Sequence, residues 1–394
     1  MKKLFFIILT ISLHSCGLNK ILLFEEKNQL ISANEIFLTT KFENRNGHIL
    51  IPISLDKKLP KCNMIFDTGA GLSVIDESYI DKINKKEKIF RIKDKGAYVL
   101  DSVLLFDQIS VKRPMFLTLP LKQFKAIDSN FCGILGTNIN SLFYTKLNYS
   151  DSSLTFSTKP IIFDTINYKK IQFHKKVASN DMKSIYSIGI KTKIAGFYFD
   201  DTTFDTGNNG LIYFYKTAAD KVTIKDSTQI RKYISHDVAD IYGKSNNQNL
   251  NIAYSDLFMG SVSMGKAKII LNNVRADSKE EKICIGYEVL KNADYYIDWK
   301  NQLIYFKQNI SESPNTEFQA IEVKFKNTEY RVSSIIADCF WEKSGLNLDD
   351  KLLEVNGVLV QNYTKVELRK NLYEQNLYSI KFINSKNIIT ELKN

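Results

Sequence analysis

The chain has 394 residues, with 54 Lys and Arg against 43 Asp and Glu, 44% hydrophobic residues and 25% charged ones. That length exceeds one ordinary core and points to two or three domains, and the composition excludes a disordered, collagen-like or polytopic membrane chain. The net charge of +11 sits in scattered pairs such as Lys85-Lys86, Lys169-Lys170 and Lys175-Lys176, with no basic run or Arg-rich stripe, so the expectation is a solvated Lys-rich surface and no nucleic-acid partner. With 25 Phe, 20 Tyr and only 6 Pro, the chain favours strands, because aromatic side chains suit a pleated, half-buried surface.

Lys2 and Lys3 precede an apolar stretch, Leu4 to Leu13, that is too short to cross a bilayer as a helix. Leu13-His14-Ser15-Cys16-Gly17 follows and resembles a bacterial lipobox. The resemblance implies a signal peptide over 1–15, cleavage before Cys16, lipid on its sulfur and a membrane-anchored protein of the cell envelope. Residues 16–40 then read as a tether and first strand. Four further cysteines, Cys62, Cys132, Cys284 and Cys339, show no compact disulfide framework and no CxxC; two disulfides are open to them, and buried free thiols are the expectation for several.

From residue 41 the pattern is β-like, with predicted strands at 49–55, 63–66, 99–105 and 109–111 and a short helix over 76–86. The most informative feature is an internal repeat. Phe66-Asp67-Thr68-Gly69-Ala70 is echoed 138 residues later by Phe204-Asp205-Thr206-Gly207-Asn208. Ile134-Leu135-Gly136 is echoed 150 residues later by Cys284-Ile285-Gly286. Each is followed by a strand, polar turn and strand, at 147–156 and 296–306. Three landmarks in one order at nearly constant offset predict two copies of one β-rich lobe, over 41–160 and, within 161–308, over 182–308.

One Asp-Thr-Gly alone is an ordinary turn. Two copies, each delivered by an apolar run and each followed by apolar-apolar-Gly, carry more. An Asp is brought into a tight turn, Gly admits a close backbone approach, and the Thr hydroxyl can bond the backbone of a symmetric partner. These motifs resemble the retropepsin-like aspartic proteases, over most of 41–308. The resemblance implies a mainly β fold of two acid-protease barrels, with Asp67 and Asp205 as the catalytic pair. By it Thr68, Gly69, Ala70, Thr206, Gly207 and Asn208 build the active-site loops, and Ile134, Leu135, Gly136, Cys284, Ile285 and Gly286 run beside them. Two carboxyls about 3 Å apart share one proton; the ionised member activates water and the neutral one assists the peptide carbonyl. No cofactor or metal is required, the substrate is a peptide or protein, and one chain supplies both aspartates without dimerisation. Asn208 departs from the small residue more frequent at its position. For the cover over the substrate, residues 95–98 and 242–244 are both open. A non-catalytic peptide-binding or envelope scaffold protein on the same fold is the alternative reading.

Residues 309–315 read as a linker. After them, Ser344-Gly345-Leu346 and Asp350-Lys351-Leu352-Leu353-Glu354-Val355-Asn356-Gly357 resemble a PDZ domain over 316–394. Thr364 and Glu367 predict a capped helix running to Leu372. The resemblance implies peptide recruitment by strand addition. The carboxylate-binding loop expected near 321–327 contains no Gly. His48, His174 and His236 are far apart and no HExxH occurs, so no zinc site is expected.

Overall fold

Among the described residues of the computed structural model, runs of β-branched and aromatic residues become strands almost throughout, and the helices are single short turns apart from Lys365–Asn371. The described residues are 29–30, 35–83, 86–92, 95–163, 166–177, 185–214, 218, 221–222, 230–235, 248–271, 283–309, 318–326 and 328–394. They divide between one unit of residues 1–212, 257–264 and 282–311 and a second of 213–256, 265–281 and 312–394. Among the described residues, no helix is long and apolar enough to cross a membrane. Cys16, the leader, the 310–315 part of the proposed linker, His236 and 242–244 lie outside the described residues.

In the first unit, two kinds of pairing position everything else. Strand Cys62–Phe66 lies parallel to Phe131–Leu135, and Phe197–Phe204 lies parallel to Ile283–Ile285. Met64, Ile65 and Phe66 are buried on both faces, as a strand flanked by layers requires. The equivalence is register-true: Ile65 faces Ile134 in one pair and Thr203 faces Cys284 in the other. The second kind is an antiparallel sheet built from the two closing hairpins. Strands run in the order Phe37–Lys41, Ser153–Ser157, Tyr144–Asn148, Ala293–Asp298, Leu303–Gln308, Lys169–Val177. Its centre joins the two repeats, with Leu147 opposite Tyr295 and Thr145 opposite Ile297. Ser152 and Gln302 turn the two hairpins with φ of 54° and 55°, a left-handed conformation at equivalent places.

Two local expectations are corrected. The helix expected over 76–86 is only Glu77–Ile80, capped by the Asp76 side chain. From Lys86 the chain enters strand Lys86–Ile92, where pairing with Lys95–Leu100 overrides helix propensity, and the Lys86 ammonium caps the helix at the Ile80 carbonyl. The strand expected over 99–105 is broken at Asp101, whose carbonyl accepts the Arg113 N–H at 2.9 Å, into Lys95–Leu100 and Ser102–Leu105. Of the four cysteines whose pairing the sequence leaves open, Cys62 and Cys132 form a disulfide with a Cα–Cα separation of 5.7 Å. A register shift between Phe131 and Gly133 brings Cys132 against Cys62 on the neighbouring parallel strand. Cys284 and Cys339 are free.

The second unit carries its own core, which includes Trp341, Leu346, Leu352, Val355, Leu368, Leu372 and Phe382. Glu329–Ile336 pairs with Ile321–Lys326 and, at 334–336, with strand Ile230–Ser235. Residues 321–326 are therefore strand and not loop. Lys351–Val355 pairs with Ser379–Ile383, which pairs with Ile389–Lys393. Asn356 and Gly357 turn with φ of 51° and 77°. Thr364 accepts the Glu367 N–H at 3.2 Å and the Glu367 carboxylate accepts the Thr364 N–H at 2.8 Å, a capping box on helix Lys365–Asn371.

Candidate active site

The two parallel pairs deliver Asp67 and Asp205 at equivalent strand ends. The Asp67 N–H donates to the Leu135 carbonyl at 3.0 Å and the Asp205 N–H to the Ile285 carbonyl at 3.1 Å. Beyond each strand the chain turns back over its aspartate. Asp67 Oδ1 accepts the N–H groups of Gly69 and Ala70 at 2.7 and 2.8 Å; Asp205 Oδ1 accepts those of Gly207 and Asn208 at 2.9 and 3.0 Å. The loops are then tied to the following segments, Thr137 N–H to Ala70 carbonyl and Tyr287 N–H to Asn208 carbonyl, both at 2.8 Å.

The loops grip each other through their threonines. The Thr68 N–H donates to Thr206 Oγ1 and the Thr206 N–H to Thr68 Oγ1, each at 3.1 Å. Thr68 Oγ1 donates to the Phe204 carbonyl at 2.6 Å and Thr206 Oγ1 to the Phe66 carbonyl at 2.9 Å. Both threonines are fully buried, so each donor satisfied here is one that water cannot reach. The glycines explain themselves by the same closeness. A Cβ on Gly69 would lie 2.4 Å from Asp205 Cγ, and one on Gly207 would lie 2.3 Å from Asp67 Cγ. Each carboxyl thus lies over the glycine of the opposite loop, and the two acids face each other.

That juxtaposition sets the charges. Burial, and then the negative charge of Asp205, push the Asp67 carboxyl well above the usual carboxylate range. Burial raises Asp205 too, but hydrogen bonds from the Cys284 thiol, Asp67 and the Gly207 and Asn208 N–H groups oppose it. Both carboxyls are therefore raised, Asp67 well above its ordinary range and Asp205 held back by the donors around it.

Of the residues singled out in the sequence, the structure brings together Asp67, Thr68, Gly69 and Ala70 with Asp205, Thr206, Gly207 and Asn208. Leu135, Gly136, Ile285 and Gly286 lie directly behind the loops. Gly136 leaves no room for a side chain, its Cβ position lying 2.8 Å from the Ala70 carbonyl; Gly286 is equivalent, at 2.8 Å from the Asn208 carbonyl. Ile134 is buried in the strand with no polar role, whereas its counterpart Cys284 donates to Asp205 Oδ2 at 3.2 Å. Residues 95–98 lie in strand Lys95–Leu100, one arm of the hairpin with Lys86–Ile92.

Two features escaped the sequence reading. Asn140 supports the first loop from below, donating to the Leu135 carbonyl at 2.9 Å and the Asp67 carbonyl at 3.4 Å. His48, in the buried strand His48–Ser54, reaches from the first repeat to hydrogen-bond the Gly207 backbone; burial pushes its ring down to about 4. Its Nδ1 is buried and finds no hydrogen-bond partner among the described residues. Neither is announced by spacing, because both contacts depend on which strands become neighbours.

No family model and no curated protein matches the chain. Among solved structures, the chain is similar to an aspartic proteinase from Irpex lacteus (TM-score 0.40, 13% identity, 71% of this chain and 99% of that one). It is also similar to the protein named EDGP (TM-score 0.43, 12% identity, 71% and 96%).

Proposed function

We propose that the chain is an aspartic-type endopeptidase whose dyad is Asp67 and Asp205. The observation that carries this is the reciprocal grip of two Asp-Thr-Gly loops, which fixes two carboxyls against each other and raises Asp67. In this reading the ionised aspartate takes a proton from a water held between the carboxyls. The water oxygen bonds to the peptide carbonyl carbon while the neutral aspartate gives its proton to the carbonyl oxygen. The tetrahedral intermediate then collapses: the C–N bond breaks, the amine leaves with the proton taken from water, and one hydroxyl of the intermediate returns its proton to the other aspartate, which restores the singly protonated pair. The backbone N–H pairs at Oδ1 keep both carboxyls oriented throughout, so no reorganisation is required during the reaction.

The test is a peptide-library digest from pH 3 to 8 with protein starting after Cys16, beside Asp67→Asn and Asp205→Asn. Cleavage by the parent that both variants lose is the expected result. A folded parent that cuts nothing at any pH moves the chain to the peptide-binding or scaffold reading.

Within the same proposal, residues 316–394 are a PDZ-like module that recruits peptide, and Cys16 carries a lipid that holds the protein to a membrane of the cell envelope. The capped helix and the tight Asn356-Gly357 turn support the first; the Leu13–Gly17 motif supports the second. Binding of labelled peptides with free or blocked C-termini to the full chain carrying Asp67→Asn checks the module. Loss of membrane partitioning in Cys16→Ser checks the anchor.

A further inference from the structure

The two aspartate loops are equivalent at Oδ1 but not at Oδ2. On the second loop, Cys284 Sγ lies 3.2 Å from Asp205 Oδ2, and Asn208 Nδ2 lies 3.2 Å from the same sulfur. The orientation of the amide is set by its other end: Asn208 Oδ1 accepts the Gly210 N–H at 2.9 Å, so the NH₂ faces the sulfur. A sulfur that accepts from Asn208 has its own proton left to give, and Asp205 Oδ2 is the acceptor in reach. On the first loop the equivalent positions are Ala70 and Ile134, which can donate no side-chain hydrogen bond. Asn208 and Cys284, two departures of the second repeat from the first, are therefore one linked pair.

We propose that Asn208 and Cys284 act as positioning residues that hold Asp205 as the carboxylate and leave the shared proton on Asp67. This rests on the endopeptidase reading above and assigns its roles: Asp205 is the general base toward water, and Asp67 is the acid toward the peptide carbonyl. The direction of donation runs Asn208 amide to Cys284 sulfur, Cys284 thiol to Asp205 oxygen. A charged acceptor makes the last of these the strong member. The raised thiol of Cys284, pushed up by burial and by Asp205, agrees with a sulfur that stays protonated and donates. The titratable groups that bear on Asp205 are Asp67, Cys284 and the buried Tyr149 phenol, with His48 acting through the Gly207 backbone. Tyr149 and His48 are common to the parent and to every variant below, so differences between them cancel those two groups.

The experiment compares the pH profile of kcat/KM for the parent, Cys284→Ala and Cys284→Ser, with melting temperatures to show that each is folded. Loss of the donor in Cys284→Ala is expected to move the acidic limb up by about 0.5–1 pH unit, since a thiol is a weak donor to a charged acceptor. At pH 4 kcat should fall about 3–10-fold, with KM within about twofold. Cys284→Ser, which restores a donor, should return the limb most of the way. An unmoved limb in Cys284→Ala, or a limb displaced equally in Cys284→Ser, overturns the proposal. If the parent shows no cleavage that depends on both aspartates, the endopeptidase reading fails by itself. The relay is then decided by carboxyl-carbon NMR of Asp-labelled protein, with signals assigned through Asp67→Asn and Asp205→Asn. Asp205 must titrate below Asp67 and must rise in Cys284→Ala; the reverse order, or no change, overturns it.

Discussion

The Asp67 and Asp205 loops take the same pair of N–H donors at Oδ1, the same threonine partner and the same parallel neighbour, yet at Oδ2 one meets a thiol and the other does not. The shared part is what two turns need in order to face each other closely enough to place one carboxyl over the opposite glycine. The unshared part is in the side chains of Asn208 and Cys284, which add hydrogen-bond donors beside Asp205 that Ala70 and Ile134 lack beside Asp67. A dyad built from two copies of one motif is thus free to become chemically unsymmetrical without losing its geometric symmetry.

The largest effects should come from the acids themselves. Asp67→Asn and Asp205→Asn should each lower kcat by at least about 10²–10⁴-fold in the peptide digest, the range for removing a general acid or base. Residual activity in either single variant equal to the parent's would mean that the two loops do not work as a pair. Next comes the grip. Thr68→Val and Thr206→Val keep shape but leave a buried N–H and a buried carbonyl without partners, so each should lower stability by about 2–4 kcal/mol in urea titration. Because the four bonds are reciprocal, the two losses should match; a grip borne by one threonine alone would give a large loss and a small one.

A third comparison concerns His48. Its folded value of about 4 lies below the ordinary 6.5, so below pH 6.5 the unfolded chain binds the extra proton more readily than the folded one. Stability contributed by neutral His48 is present above pH 6.5 and is lost as pH falls toward 4, to a total of about 3 kcal/mol. His48→Leu should flatten that slope. An unchanged slope in the variant would mean that neutral His48 is not its source.

The smallest effect separates the two acids by stability. Asp67 is raised above its unfolded value, so its stabilising contribution exists at low pH and disappears as pH rises through the folded value. Asp67→Asn should therefore raise the melting temperature at pH 7 by about 2–4 °C per kcal/mol relieved, and lose that advantage below pH 4. Asp205→Asn should gain less, because the Cys284 thiol and the loop N–H groups already favour its ionised form. Equal gains would argue that the proton is evenly shared.

Much of this was legible beforehand, and for a physical reason. A carboxyl that must lie over the opposite glycine tolerates no Cβ there, so Asp-Thr-Gly recurs in recognisable form, and the tight approach at Gly136 and Gly286 marks the neighbouring strand in the same way. The closing hairpins and the Thr364–Glu367 cap were readable because each is local. What could not be read depends on strand neighbours distant in sequence. The Cys62–Cys132 disulfide needs the register shift at Phe131. His48 meets Gly207 only after two repeats have folded against each other, and Cys284 meets Asp205 only once Ile283–Ile285 has paired with Phe197–Phe204 inside the second repeat. The helix that stops at Ile80 is the opposite case: a local propensity was present, and pairing of Lys86–Ile92 with Lys95–Leu100 displaced it.

The central pairing of the two closing hairpins has a consequence in time. Asp67 and Asp205 are separated by 138 residues, and the strand that joins the repeats, Ala293–Asp298, is made later still. At about 5–20 residues per second, roughly 7–28 s of synthesis separate the two carboxyls. Throughout that interval the ribosome-bound chain holds a lone aspartate with nothing to share its proton. Under the proposed endopeptidase function, the order of residues along the polypeptide is itself a delay, one that leaves the nascent chain without its second carboxyl until the second repeat arrives.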